Sequence, residues 1–229
     1  MDKPPHNARP GTGNSRAISS TQLEIHPNLD EVVHKHLVTI FRKPLQAHNI
    51  EIYKAAMERA GSSQIIFDSG CGNGKSTRII AQRNPDAYVI GIDKSAARLE
   101  KRLANAGVDG VENYCLVRAD LNDFLRLASN DGITLKKHYL LYPNPWPKKQ
   151  HLHRRWQGSP VFVDITRLGG DIELRSNWEI YAVEFARALN LADIKNELTP
   201  LQITGHAFIS DFEAKYYRSG HRLWQIRTI

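Results

Sequence analysis

Only two cysteines, Cys71 and Cys115, occur in the 229 residues. One lies in a glycine-rich loop and the other in an apolar run, so packing accounts for both. Without a disulfide framework the expected setting is reduced and cytoplasmic. No apolar run approaches the roughly 20 residues of a membrane span, and the N-terminus lacks the apolar core of a signal peptide. A soluble, unexported protein with no membrane partner is expected. His151 and His153 have no cysteine or carboxylate beside them at ligand spacing, so no metal is expected. Negative charge is scarce: 24 Asp and Glu stand against 31 Lys and Arg, a net charge of +7. That excess points towards an acidic partner.

The length suits one core, hence one domain. A monomer is slightly favoured, although the sequence does not fix the oligomeric state. Residues 22–229 form that domain. Met1 to Thr21 is rich in Pro, Gly, Asn and Ser, carries Lys3, Arg9 and Arg16, and reads as a disordered basic tail.

What the chain does have is glycine where an apolar run ends. Ile65-Ile66-Phe67-Asp68 reads as a buried strand, and Ser69-Gly70-Cys71-Gly72-Asn73-Gly74 as a tight turn into a helix from Lys75 to Gln82. Glycine at alternate positions allows positive φ and lets a ligand approach the main chain. A P-loop would need glycine at position 69, where Ser69 stands. A dinucleotide fingerprint would need a small residue near Lys75 for close helix packing. S-adenosylmethionine carries no phosphate, and its cationic groups suit the carboxylate of Asp68.

Tyr88 to Asp93 is a second apolar run ending in an acid, about 20 residues beyond the glycines, where nucleoside-binding folds hold ribose hydroxyls. Tyr114 to Asp120 is a third. A single terminal aspartate reads equally well as a helix cap, but three in register beside a glycine loop favour a ligand. Helices are expected over residues 30–40, 50–59 and 121–128, and a fourth strand over 136–141. Asp68 to Gly74, Ile92-Asp93 and Ala119-Asp120 resemble the first three motifs of class I S-adenosylmethionine-dependent methyltransferases. That resemblance implies a Rossmann-like α/β fold with a seven-stranded, mostly parallel sheet and helices on both faces. It also implies cofactor contacts from Asp68, Gly70, Gly72, Asp93 and Asp120.

After the fourth strand comes Tyr142-Pro143-Asn144-Pro145-Trp146-Pro147, whose prolines exclude helix or interior strand and make a rigid loop. Lys148, Lys149, Arg154 and Arg155 follow, interleaved with His151, His153 and Trp156. Cations for phosphate with flat rings for an unstacked base are a nucleic-acid-binding composition, against the plainer reading of a solvated basic turn.

This loop, with His151 and Arg154-Arg155, resembles the signature of the bacterial tRNA (guanine-N7)-methyltransferase family, Pro-Asp-Pro-Trp-x-Lys followed by His and Arg-Arg. Leu168-Gly169-Gly170, Ser176-Asn177-Trp178-Glu179-x-Tyr181, Ser210-x-Phe212-Glu213 and Gly220-His221-x-Leu223-Trp224 extend the likeness, which runs from about Phe41 to the C-terminus. It departs where the family has acids: Asn144 and Asn177 are amides. N7 of guanine carries no proton, so its attack on a sulfonium methyl needs orientation and charge stabilisation rather than a general base.

The resemblance implies tRNA as partner and Asn144 as the catalytic residue at the junction of cofactor and base. It implies substrate contacts from Lys148, His151, Arg154, Asn177, Ser210 and Glu213, the last on the donor edge of guanine. For Asn177 a helix N-cap is the competing reading. A same-fold methyltransferase acting on another RNA or a small molecule, and a catalytically silent RNA-binding relative, stay open as alternatives.

Overall fold

The computed structural model describes residues 13–103, 110–205 and 207–229. The first two helices, α1 (Leu29–Val38) and α2 (Ala47–Ala60), precede the sheet. Alternation then sets in with β1 (Gln64–Ser69), α3 (Lys75–Arg83), β2 (Ala87–Asp93), α4 (Ala96–Leu103), β3 (Tyr114–Arg118), α5 (Leu121–Asn130) and β4 (Lys137–Leu141). The second half adds α6 (Phe162–Leu168), β5 (Asp171–Ser176), α7 (Glu179–Leu191), β6 (Asn196–Pro200), α8 (Asp211–Arg218) and β7 (Trp224–Thr228).

The strands form one seven-stranded sheet in the order β3-β2-β1-β4-β5-β7-β6. β7 alone runs antiparallel to its neighbours. The apolar runs are continuous because both faces of the sheet are covered. Ile65 and Phe67 of β1 point into one core with Ile90, Ile92, Leu140 and Leu174. Ile66, between them, points into the other with Ile80, Val89, Tyr139 and Leu141.

Helix starts follow local chemistry. Asp120 lies beyond the end of β3 and caps α5, its side chain accepting from the Asn122 N–H at 2.8 Å. Ser210 caps α8 by accepting from the Glu213 N–H at 3.1 Å.

The segment from Gly13 to Thr21, expected as part of a disordered tail, lies against the body. Residues 1–12 lie outside the described residues, but from Gly13 onward the chain runs as a strap against the body. Ser15 N–H donates to Ser219 Oγ, Ser20 Oγ donates to the Pro147 carbonyl at 2.6 Å, and Gln22 is buried. Ile18 packs on the main core. Sparse hydrophobics are offset here by polar hooks to distant carbonyls and hydroxyls. No helix among the described residues is long and apolar enough to cross a membrane.

Candidate functional site

Strand order grows outward from β1 to β2 and β3 on one side and from β4 to β5 on the other. The crevice at the carboxyl ends of β1 and β4 is therefore the switch point where open α/β sheets bind ligands. The glycine loop leaves one strand and the proline loop the other.

The glycine loop folds back onto the tip of β2. Gly70 and Cys71 N–H donate to the Ile92 carbonyl at 2.8 and 3.1 Å, and Gly72 N–H donates to Asp93 Oδ2 at 2.9 Å. Ser95 N–H occupies the other Asp93 oxygen at 2.8 Å. Gly70 and Gly72 sit at φ 86° and 61°, and a Cβ built on either would meet nothing within 4 Å. The loop thus has a left-handed backbone bordered by open space, which is the form of a ligand cradle.

Asp68 is buried beneath it. Its Oδ2 accepts from Ser76 Oγ at 2.6 Å and Thr77 Oγ1 at 2.7 Å, while Oδ1 has no hydrogen-bond partner among the described residues. Desolvation raises its pKa to about 6, and the Asp93 charge adds to the shift against the two hydroxyl donors. Ser76 and Thr77 were missed from sequence, although a helix opening Gly-Lys-Ser-Thr after an acidic strand tip offered hydroxyls within reach. Asp120 stays beside this group, since the Ala119 N–H donates to the Asp93 carbonyl.

The proline loop is strained and clamped. Tyr142 and Trp146 adopt φ 51° and 45°, a region bulky residues rarely enter. Tyr142 is held by its hydroxyl, which donates to Glu213 Oε2 at 2.8 Å. Trp146 is held by its carbonyl, which accepts from Arg155 Nε and Nη2 at 3.3 and 3.1 Å. Asn144 is exposed, and its Oδ1 accepts from the Trp146 N–H at 3.3 Å.

Arg155 corrects the reading of the basic cluster. It was grouped with three phosphate-binding cations, but its side chain is fully buried, paired to Glu184 of α7 at 2.6 Å and bonded to Gln22 of the strap at 2.9 Å. Lys148, Lys149 and Arg154 are exposed, and Arg154 lies over the Trp146 ring at 4.6 Å. His151 meets the same indole edge-on. Desolvation, with Arg154 and Lys148 nearby, holds its imidazole below the usual range.

The downstream candidates divide. Asn177 does not cap α7; its amide donates to His221 Nδ1 at 3.0 Å, while the Ser176 hydroxyl takes the Trp178 N–H. Glu213 cannot read a guanine edge as expected. It is fully buried, and its oxygens accept from the Ile209 N–H, Tyr142 hydroxyl and Arg175 Nη1 at 3.0, 2.8 and 2.8 Å. Ser210, expected at the guanine edge, caps α8 by taking the Glu213 N–H, while Glu213 reaches back to the Ile209 N–H. Glu213 is a brace beneath Tyr142. Asp211 ties α8 to the glycine loop through Lys75 at 2.6 Å and Asn73 at 3.0 Å. Among the described residues no group of three or more His, Cys, Asp or Glu is placed to hold a metal ion.

Residues 62–226 match a family described as "Putative methyltransferase". Two solved structures share the fold: an antibiotic-related methyltransferase (TM-score 0.55, 16% identity, 85% of this chain and 96% of that one); and a 16S rRNA (adenine(1408)-N(1))-methyltransferase from Catenulisporales acidiphilia with cosubstrate SAM (TM-score 0.53, 16% identity, 77% and 89%). The tRNA (guanine-N(7)-)-methyltransferase of Shewanella oneidensis is 30% identical over 169 residues, 70% of each chain. The match spans most of the sheet that carries both loops, and the chain belongs to the tRNA (guanine-N7)-methyltransferase family.

Proposed function

We propose that this protein transfers a methyl group from S-adenosylmethionine to N7 of a guanosine in tRNA, in the variable loop as the family resemblance implies, and does so in the cytoplasm. The observation that carries the reading is the pairing of two loops at the switch point: an open glycine cradle tied to Asp93, and a proline loop presenting Asn144 beside exposed cations.

The cradle fits the cofactor. Gly70 and Gly72 leave room for a ligand against the backbone, and the unpartnered Oδ1 of Asp68 is an acceptor for a cationic group. Asp93 keeps a second lone pair on each oxygen for ribose hydroxyls, and Asp120 borders the same edge. When bound, S-adenosylmethionine supplies a methyl group on a positively charged sulfur. The chain's own task is then to hold guanine so that the N7 lone pair lies in line with that methyl.

Asn144 is suited to orientation. Its NH2 is a donor, and O6 beside N7 on guanine is an acceptor. No proton leaves N7, so no base is required. Lys148, His151 and Arg154 lie where tRNA phosphates or the target nucleotide would approach. Asn177 acts indirectly, through His221.

The test is nucleoside mass spectrometry of unmodified tRNA incubated with protein and S-adenosylmethionine. The expected product is 7-methylguanosine. A different methylated nucleoside would overturn the substrate; none at all, with cofactor binding intact by calorimetry, would overturn the enzyme reading. Asp93→Ala should weaken cofactor binding about 10- to 100-fold, as charge-assisted bonds of roughly 1.5–3 kcal/mol are lost.

A further inference from the structure

Helix α8 presents an aromatic row that no step above uses. Phe212 and Tyr216 stack with centroids 6.1 Å apart and planes 26° apart, and Tyr216 stacks on His221 at 5.4 Å and 19°. Tyr142, at the root of the proline loop, leans on Tyr216 at 5.6 Å.

The row is closed at one end and open at the other. Asn177 donates to His221 Nδ1, so Nε2 carries the proton and donates to the Ser15 carbonyl of the strap at 3.1 Å. Phe212, at the far end, is 43% exposed. A helix at the surface gains nothing by leaving a phenylalanine face in water, and isolated exposed rings need no explanation, but an exposed ring continuing a stack is a different matter. The next member of such a stack is a flat ring from outside.

Charge names that ring. Lys215 and Arg218 stand on the adjoining flank of α8, lining with Lys75 and Asp211 a cavity of about 630 Å³. Lys75 is paired with Asp211 at 2.6 Å, so the charge of Lys215 and Arg218 favours phosphate, and aromatic faces beside a phosphate-binding groove are how proteins hold single-stranded nucleic acid. Asp211 and Asn73 join this surface directly to the glycine loop.

We propose that α8 is a nucleobase-stacking ledge: an unpaired RNA base packs on Phe212 and extends the Phe212–Tyr216–His221 row, with its phosphate beside Lys215 and Arg218. The inference rests on the proposed action on tRNA and adds a second contact, outside the proline loop.

The experiment measures affinity for tRNA, and for a short single-stranded oligoribonucleotide, with wild type, Phe212→Leu and Phe212→Trp. Leucine keeps the apolar bulk without the flat face, and position 212 is open enough to take either side chain. The expected result is binding about 10-fold weaker for Phe212→Leu, with unchanged salt dependence, and recovery to wild-type affinity or better for Phe212→Trp. Leucine binding within twofold of wild type would overturn the ledge, and so would equal losses for leucine and tryptophan. The oligoribonucleotide arm separates this failure from that of the proposed function. A protein that methylates no tRNA can still show the leucine–tryptophan contrast, and an active one can lack it.

Discussion

The glycine loop and the proline loop leave the carboxyl ends of two adjacent parallel strands in the middle of the sheet, yet they are fixed by different means. The first is fastened locally, by Asp93 reaching a backbone N–H 21 residues away and by carbonyls of the neighbouring strand. The second carries two strained aromatic residues and is fastened from beneath by buried ions. Arg155 joins Trp146 to Glu184, 29 residues on, and to Gln22, 133 residues back. A loop shaped by glycine needs little restraint, because its backbone conformation costs nothing there. A loop of prolines and aromatics in the left-handed region costs roughly 1–3 kcal/mol per strained residue and persists only when its surroundings over-determine it. Charge in this molecule therefore serves two purposes at neighbouring positions: Arg154 faces solvent over an indole, and Arg155 holds the loop together.

The largest effect expected from this contrast is at Arg155. Arg155→Ala leaves Glu184 buried without its cation and frees the Trp146 carbonyl, so urea unfolding should show a loss of about 3–5 kcal/mol. Arg154→Ala should cost no more than about 0.5 kcal/mol. The triple variant Lys148→Ala, Lys149→Ala, Arg154→Ala should keep wild-type stability while the dependence of tRNA affinity on salt flattens by up to about three phosphate contacts. Comparable stability for the two single variants would abolish the distinction between the neighbouring arginines. A salt slope unmoved in the triple variant would take the proline loop out of the RNA contact.

A second, smaller effect belongs to the glycine loop alone. Asp68 is a carboxyl whose folded pKa is raised from 3.8 to about 6, chiefly by desolvation. Between those values the folded state holds a proton that the unfolded chain has released. The stabilisation this provides is full below pH 3.8 and is lost as pH rises through 6, amounting to about 3 kcal/mol by pH 7. Asp68→Asn has no such proton to lose. Its stability relative to wild type should therefore climb between about pH 4 and 6.5 and level off above, as read from urea midpoints across that range. Parallel curves for the two proteins would mean that Asp68 titrates normally.

The same division explains what the sequence revealed. Ile65 to Asp68 and Tyr88 to Asp93 were legible as strands because both faces of the sheet are covered, which makes their apolar runs continuous up to the terminal acid, and the strand expected over 136–141 was legible from its apolar end, Tyr139 to Leu141. Gly70 and Gly72 were legible because positive φ leaves a compositional mark. Arg155 was not, since Arg154 and Arg155 are adjacent like charges at the end of a 3-10 turn and composition cannot assign which is buried. Glu213 was misread for a related reason. A carboxylate near a predicted site looks like a ligand until its partners are known, and these come from Tyr142, Arg175 and Ile209, two of them distant in sequence. The strap from Gly13 to Gln22 was illegible because polar contacts to far segments, unlike apolar periodicity, follow no pattern along the chain.

The smallest effect expected is at the reacting edge of the proline loop, and it tests whether this loop positions rather than ionises. Asn144 has no titrating group, and its oxygen is occupied by the Trp146 N–H, which leaves an amide donor for the base. N7 of guanine loses no proton on methylation. Desolvation, with Arg154 and Lys148 nearby, holds His151 below its ordinary pKa. Single-turnover methyl transfer at saturating cofactor should then be nearly flat from about pH 7 to 8. Asn144→Ala should slow transfer by removing orientation. Asn144→Asp should keep the rate or raise it by less than about 10-fold, since a carboxylate at the edge of the ring balances the charge that develops on methylation. A wild-type rate rising tenfold per pH unit would demand a protonated nucleophile, which guanine N7 is not. A rate unchanged in Asn144→Ala would place the reacting base away from this loop.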